Sequence, residues 1–310
     1  MTEAKFYGRV EEMMQWLLEK DPVLATNMGV HKWDDRLANY NLQAIEEFQQ
    51  ALRDEFKNFQ NIDSSGFSKE GQIDFTLVSQ LLKVAVLDFE RERHYRRNPN
   101  FYLDEVMAGI FSLIMKDFAP LADRLRSAVG RTRQVPRVLA EARANLQPER
   151  VPRVWAEVAL QQAKLGLGLF QGLLPSMAAG VPDVQADLTA ACQNAARALQ
   201  DFAAYLESEV LPAARGDFAV GVERFNELLR EKHMVDYDAE ELLETGWRLF
   251  HETKAQMEAL AREIDPRRTV KEILEEAKAD HPSAEELLAA YQEAMESTRQ
   301  FVIDHEVATI

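Results

Sequence analysis

Three shortages narrow the field at once: cysteine, positive charge and long apolar runs. Cys192 is the only cysteine among 310 residues, so no internal disulfide forms and no cysteine-rich zinc site exists. Its helical, apolar neighbours Leu188, Ala191, Ala195 and Ala196 mark it as a buried inert thiol. Thirty-six basic residues face 52 acidic ones, giving a formal charge of -16. That balance repels phosphate backbones and anionic lipid surfaces, so neither nucleic acid nor membrane is an expected partner. The longest apolar stretch, Val106 to Met115, falls well short of the ~20 residues that span a bilayer. The opening Met1-Thr2-Glu3-Ala4-Lys5 has no basic region leading into an apolar run, which predicts a cytoplasmic location. Gly-rich phosphate cradles are missing too, because Gly166-Leu167-Gly168 and Gly172 lie inside an apolar helical stretch with no preceding strand. No Gly-x-Ser-x-Gly nucleophile elbow occurs.

What remains is helix. Hydrophobic residues make up 46% of the chain, enough for one large core or two smaller ones. Phe6, Val10, Met13, Met14, Leu17 and Leu18 share one face of an opening helix that breaks at Asp21-Pro22. A second helix is predicted over 42–59. A long third covers 68–97, with Ile73, Leu77, Leu81, Val84 and Leu87 facing inward and Asn98-Pro99 as its stop. Further helices are predicted at 102–118, 120–130, 136–146, 151–174, 184–211, 219–232, 238–264, 269–279 and 283–301, with proline at most of the joints. Asp238 with Glu241, Thr269 with Glu272 and Ser283 with Glu286 have the capping-box spacing that starts a helix. The fold class is therefore all-α, an array of about ten to twelve helices by periodicity. No fixed repeat emerges, and a weak internal division falls near 212–218. The closing residues Phe301 to Ile310 shift toward strand-like spacing. A strand there leaves its backbone groups unpaired, which suggests that the chain is truncated and that an apolar face is left uncovered, free to self-associate.

Candidate sites are few. A zinc helix of the His-Glu-x-x-His type needs two imidazoles one turn apart, and both His251-Glu252 and His305-Glu306 lack the second histidine. His31, Asp34 and Asp35 put an imidazole and two carboxylates within one loop, a set able to hold a divalent ion or orient a ligand; alternatively an aspartate caps the following segment and pairs with Arg36. Eight arginines between Arg124 and Arg153 face only Glu141 and Glu149, and Arg131 and Arg133 are the candidates for gripping a substrate carboxylate or phosphate. Arg91, Arg93, Arg96 and Arg97 have a local explanation, the negative pole of the preceding helix terminus.

Pro22-Val23-Leu24-Ala25-Thr26 running into Gly29-x-His31-x-x-Asp34-Asp35-Arg36-Leu37, then Gln72-Ile73-Asp74 and Asn98-Pro99-x-x-Tyr102, resembles the opening of the bacterial domain-of-unknown-function 885 family. Arg131-x-x-x-x-Pro136-x-x-Leu139-x-x-Ala142-x-x-Asn145-Leu146 and Gly221-x-x-x-Phe225-x-x-x-Leu229 resemble its later segments. Members of that family are longer and resemble zinc metallopeptidases of the gluzincin type, with a His-Glu-x-x-Pro-Gly-His segment that no position here matches. The resemblance therefore implies the helical N-terminal half of a metallopeptidase-like hydrolase. Zinc is expected only in a full-length relative, a peptide is the substrate, and no catalytic residue is carried over to this chain. The alternative is a complete, non-catalytic helical protein that binds a peptide or protein partner.

Overall fold

In the computed structural model, which describes residues 1–309, the chain enters as α1 (Glu3–Lys20) and turns where Pro22 cannot extend it. Asp21 caps α2 (Pro22–Asn27) by accepting the Leu24 N–H at 2.9 Å. A 3-10 turn, His31–Trp33, leads into an extended segment and then α3 (Leu42–Gln60), capped by Asn41, and α4 (Lys69–Leu87), capped by Ser68. α1, α3 and α4 bury Phe6, Met13, Leu52, Phe59 and Leu82 in a small aromatic-rich core.

The inward face of α4 is not the predicted one. Ile73, Leu77 and Leu81 are 53%, 45% and 56% exposed, while Phe75, Val78, Leu82 and Ala85 pack on the core. α4 is apolar on two sides, and Phe75, edge-on to Phe6 at 5.8 Å, decides which side is buried. The helix also stops short of 97. A π turn, Asp88–Glu92, follows it, Arg93 takes a left-handed φ of 48°, and α5 (His94–Arg97) starts afresh.

The main core surrounds α6 (Asn100–Ile114), in which Tyr102, Leu103, Val106, Ile110 and Leu113 have no exposed surface. α7 (Leu121–Asn145) and α8 (Arg153–Gly168) pack on it, and the fully buried Ala156, Ala159 and Ala163 allow close approach of α8. α8 continues through a π turn, Leu169–Leu173, into α9 (Leu174–Ala178). α10 (Pro182–Tyr205) packs on both α7 and α8 and ends in a third π turn and α11 (Leu211–Ala213). The predicted break at Pro136 is absent, since α7 runs through it. Burial of Val135, Val138, Leu139 and Ala142 around that position outweighs the ~3 kcal/mol that an interior proline costs. α12 (Val222–Glu231) presents Arg224 to Asp88, Glu92 and Glu227 at 3.2, 3.1 and 2.8 Å, which ties it to the first π turn.

These elements form one compact unit, Met1–Asp236, and Tyr237–Ile310 forms a second. The 212–218 loop lies inside the first, where the Gly216 N–H donates to Val151 O at 3.0 Å. The second unit comprises α13 (Ala239–Ile264), α14 (Val270–Ala279) and α15 (Leu287–Asp304). The capping boxes at Asp238 and Thr269 form as predicted. Ser283 and Glu286 exchange the same bonds, but in the turn that precedes α15. Ala261 is the one buried side chain among the described residues of this unit.

The strand-like tail does not materialise. α15 runs through Phe301–Asp304, and the His305 and Val307 N–H groups donate to Phe301 O and Val302 O, so local bonds satisfy a backbone that has no strand partner. Ile310, the last residue of that expectation, lies outside the described residues. Among these, the one β pairing is the isolated bridge Pro152–Gly216, and no helix is long and apolar enough to cross a membrane.

Candidate functional site

The extended segment that follows the 3-10 turn, a strap over residues 35–41, has no secondary structure of its own, and its backbone is satisfied largely by side chains of one face of α7. Gln134 donates to Asp35 O at 2.8 Å and accepts the Leu37 N–H at 3.2 Å. Arg131 donates to Arg36 O at 2.9 Å, and Arg137 to Leu37 O and Ala38 O at 3.2 and 3.0 Å. Glu141 accepts the Tyr40 N–H at 2.9 Å, and Asn145 donates to Tyr40 O at 2.6 Å. Arg131, Gln134, Arg137, Glu141 and Asn145 recur at three- and four-residue steps, which on a helix is one stripe. The strap lies so close to α7 that a Cβ on Gly130 would sit 2.7 Å from Asp35 O, and one on Gly109 of α6 would sit 2.7 Å from the Leu37 side chain.

Arg131 anchors this arrangement. It is fully buried, and each of its five N–H groups has an acceptor: Arg36 O, Gly109 O, Ser112 Oγ at 3.1 Å, Pro22 O at 3.0 Å and Thr26 Oγ1 at 2.6 Å. Burial lowers its pKa from the ordinary guanidinium value, an effect opposed by Asp34 and Glu105. The Thr26 hydroxyl passes the contact on to Asp34 Oδ1 at 2.6 Å, and Asp34 Oδ2 meets His31 Nδ1 at 2.9 Å. His31 in turn stacks on Phe118, centroids 3.9 Å apart. Glu105, 8% exposed, accepts the Ala38 N–H at 2.8 Å and the Tyr40 hydroxyl at 3.1 Å. Burial raises its pKa and lifts that of Tyr40 well above the usual phenol range. The family-like motifs at 22–37, 98–102 and 131–146 thus meet in one buried network, because Asn145 also donates to the Tyr102 hydroxyl, which donates to Tyr95 O.

The predicted site residues therefore separate. Arg131 is a structural keystone with no donor to spare for a substrate, and buried Asp34 has both oxygens engaged, by Thr26 and His31. Asp35 points away, 65% exposed and 3.7 Å from Arg36, so the His31, Asp34 and Asp35 set does not converge. Among the described residues no three His, Cys, Asp or Glu side chains are grouped to hold a metal, and the residues here do not fit zinc. Arg133 makes an exposed ion pair with Asp187 at 3.0 Å. His251 stacks on Trp247 on the surface of α13 and His305 on Phe301 in the turn after α15, and both are exposed. Burial pushes the Cys192 thiol up to about 11, in keeping with an inert group. Sequence reasoning missed Glu105 and Arg224; the readable signal for Glu105 is a carboxylate set directly before the apolar run that starts at Val106.

Beside the strap opens a cavity of about 670 Å³ whose walls carry Trp16, Phe48, Phe89, Tyr95 and Phe101, with Glu19, Lys20, Asp21, Arg36 and Glu47 as its charged lining. Trp16 stacks on Phe48 at 5.1 Å, and Phe48 meets Phe89 edge-on at 5.4 Å, so the aromatic wall is preorganised. Its size and apolar character are those of a small-ligand or side-chain pocket.

The class the fold defines is an all-helical array, with a strap held against it by a buried arginine. The chain belongs to the family described as "Bacterial protein of unknown function (DUF885)", which matches residues 22–310. Among solved structures it is similar to "a putative lipoprotein of unknown function from Shewanella oneidensis", with a TM-score of 0.75 and 19% sequence identity. That likeness covers 100% of this chain and 59% of the other, so the chain spans little more than half the length of its structural neighbour. No curated protein matches.

Proposed function

We propose that these residues are the helical scaffold of a zinc-dependent metallopeptidase-like protein, forming one wall of a peptide cleft whose metal is held outside this chain. The observation that supports the reading is apolar helix surface without a cover. On α13, Leu243, Trp247, Phe250, Met257 and Ile264 recur at three-, four- and seven-residue steps, and all are exposed. Leu288, Tyr291 and Met295 repeat the pattern on α15, as Ile73, Leu77 and Leu81 do within the first unit. Helices in water persist chiefly because an amphipathic face is buried, and the second unit buries almost nothing by itself. The peptidase chemistry comes from the family resemblance alone, and the aromatic cavity beside the strap would accept an apolar side chain of the peptide.

Left uncovered, these faces make self-association the expected behaviour of residues 1–310 in isolation. Location is a separate matter: the neighbour's description as a lipoprotein fits a cytoplasmic reading poorly, and fractionation of the native host decides it.

The test is zinc content and cleavage of a quenched fluorescent peptide mixture by the full-length gene product. Stoichiometric zinc and chelator-sensitive hydrolysis are expected, with residues 1–310 alone inactive. A full-length product without zinc or hydrolysis that captures a peptide or protein would instead establish the non-catalytic binding role. Hydrolysis by residues 1–310 unaided would also overturn the proposal.

A further inference from the structure

A second cavity, again about 670 Å³, is lined by Gln49, Arg53, Glu90, Arg93, Arg96 and Arg150 together with two aromatic rings. Four guanidiniums against one carboxylate reverse the sign of a protein whose net charge is -16. The pole of the preceding helix accounts for Arg93 in part, through Glu90 O in its last turn, and not for Arg53 or Arg150, which come from elsewhere in the chain. Arg91 and Arg97, their sequence neighbours, are engaged elsewhere, by Glu227 and by Asp217 O, whereas Arg93 and Arg96 stay on the cavity.

Three of the four are held in the same way. Arg53 donates its Nε–H to Glu90 Oε1 at 2.7 Å, Arg93 to Glu90 O at 2.9 Å and Arg96 to the Tyr95 hydroxyl at 3.2 Å. Arg53 is thereby ion-paired with Glu90, and the terminal nitrogens of all three have no hydrogen-bond partner among the described residues. Arg96 also lies over the Tyr95 ring at 5.2 Å, and Arg150 is steadied by Gln147 Oε1 at 3.2 Å. A guanidinium fixed through Nε and open at both Nη atoms is oriented, yet keeps donors that suit a carboxylate or phosphate. Arg131, with all five donors consumed, is the opposite case.

Two further features call for an acceptor in the same place. Gln49 Nε2 is buried without a partner, an arrangement that costs free energy until something accepts its protons. Arg93 holds φ 48° and ψ 47° where the π turn ends. A left-handed conformation in a residue with a Cβ costs roughly 1–2 kcal/mol and persists where surrounding contacts impose it.

We infer that this cavity binds a small organic dianion, a phosphate monoester or a dicarboxylate, through Arg53, Arg93, Arg96 and Arg150, with Gln49 as a neutral donor. Its volume exceeds a bare ion, and its mainly polar lining suits a small, hydrophilic organic body. The site is independent of the peptidase reading, since it needs neither zinc nor the remainder of a longer protein.

Calorimetric titration of residues 1–310 with inorganic phosphate and, separately, succinate at fixed ionic strength tests it. Saturable 1:1 binding of at least one probe is expected, and the tighter one identifies the phosphate or the carboxylate class. Arg93→Gly removes one guanidinium while relieving the left-handed strain, so it folds at least as well, and it should bind ten-fold or more weakly; Arg96→Gln should match it. Arg133→Gln, which alters an arginine outside the cavity, should bind as the parent does. Absence of saturable binding to both probes, parent-like binding by Arg93→Gly and Arg96→Gln, or an equal loss in Arg133→Gln would each overturn the site.

Discussion

α7 and α13 have 25 and 26 residues and both carry apolar side chains at helical spacing, yet α7 buries eleven residues and α13 buries one. Their local signals are of similar quality, and α13 has the better start, a complete capping box at Asp238. Periodicity and caps thus specify that a helix forms and which face is apolar. They do not specify whether that face has found a cover. The comparison breaks most visibly if the units are separated. Residues 1–236 should keep a cooperative thermal transition, because the cores around α6 and Phe6 lie wholly within them. Residues 237–310 at low concentration should lose most of their helical ellipticity and melt without cooperativity, since isolated helices are marginal without tertiary burial. A sharp melt from a monomeric 237–310 would show that the second unit needs no covering partner.

Within the first unit, the largest single-residue effect is expected at Arg131. Arg131→Met keeps an unbranched apolar stem but strips acceptors of their donor at Pro22 O, Gly109 O and Arg36 O, and leaves Asp34 without its nearest buried countercharge. Breaking a buried charge network from one side costs about 3–5 kcal/mol. Chemical denaturation should register that loss, while Arg133→Met, at an exposed pair, stays within about 0.5 kcal/mol of the parent. Equal stabilities of the two variants would mean that the strap is not held through Arg131.

The same contrast explains how much was legible beforehand. The all-α class, the caps at Asp238 and Thr269 and the inert Cys192 were readable because each depends on neighbours within a turn or two. Arg131, Asp34 and His31 stand out by residue type, but their roles were not readable. The acceptors of Arg131 are backbone carbonyls at positions 22, 36 and 109, and no local pattern announces a carbonyl about to lose its strand or helix partner. The inward face of α4 was misjudged because two apolar stripes compete there, and the choice is made by aromatic rings from α1 and the loop before α4. The tail from Phe301 has strand-favouring Val302 and Ile303, but β propensity is a preference for a pleated, half-buried surface, and α15 simply continues in its absence. The arginine cavity was invisible for a different reason: it depends on a π turn and one left-handed residue, which bring together arginines from position 53 to position 150.

The smallest predicted effect concerns Glu105, and it appears as a slope rather than a loss. Burial raises its folded-state pKa above the unfolded one, so the protonated form is favoured by folding. Its contribution to stability is fully present below the ordinary carboxylate pKa and fades as pH rises through the raised folded value. Glu105→Gln retains an oxygen for the Ala38 N–H and offers its amide to the Tyr40 hydroxyl, which is able to accept, so the strap stays in place. At neutral pH the variant should lie within about 1 kcal/mol of the parent, because removing the desolvation cost of a buried charge offsets the lost attraction to Arg131. As pH falls from neutral toward the ordinary carboxylate range, the parent should gain on the variant, since only the parent takes up a proton on folding. Urea midpoints measured for both proteins across that range separate the outcomes. A difference that stays flat with pH would show that Glu105 titrates alike in the folded and unfolded chain, and that the strap, unlike the uncovered second unit, lies in a wetter environment than its burial indicates.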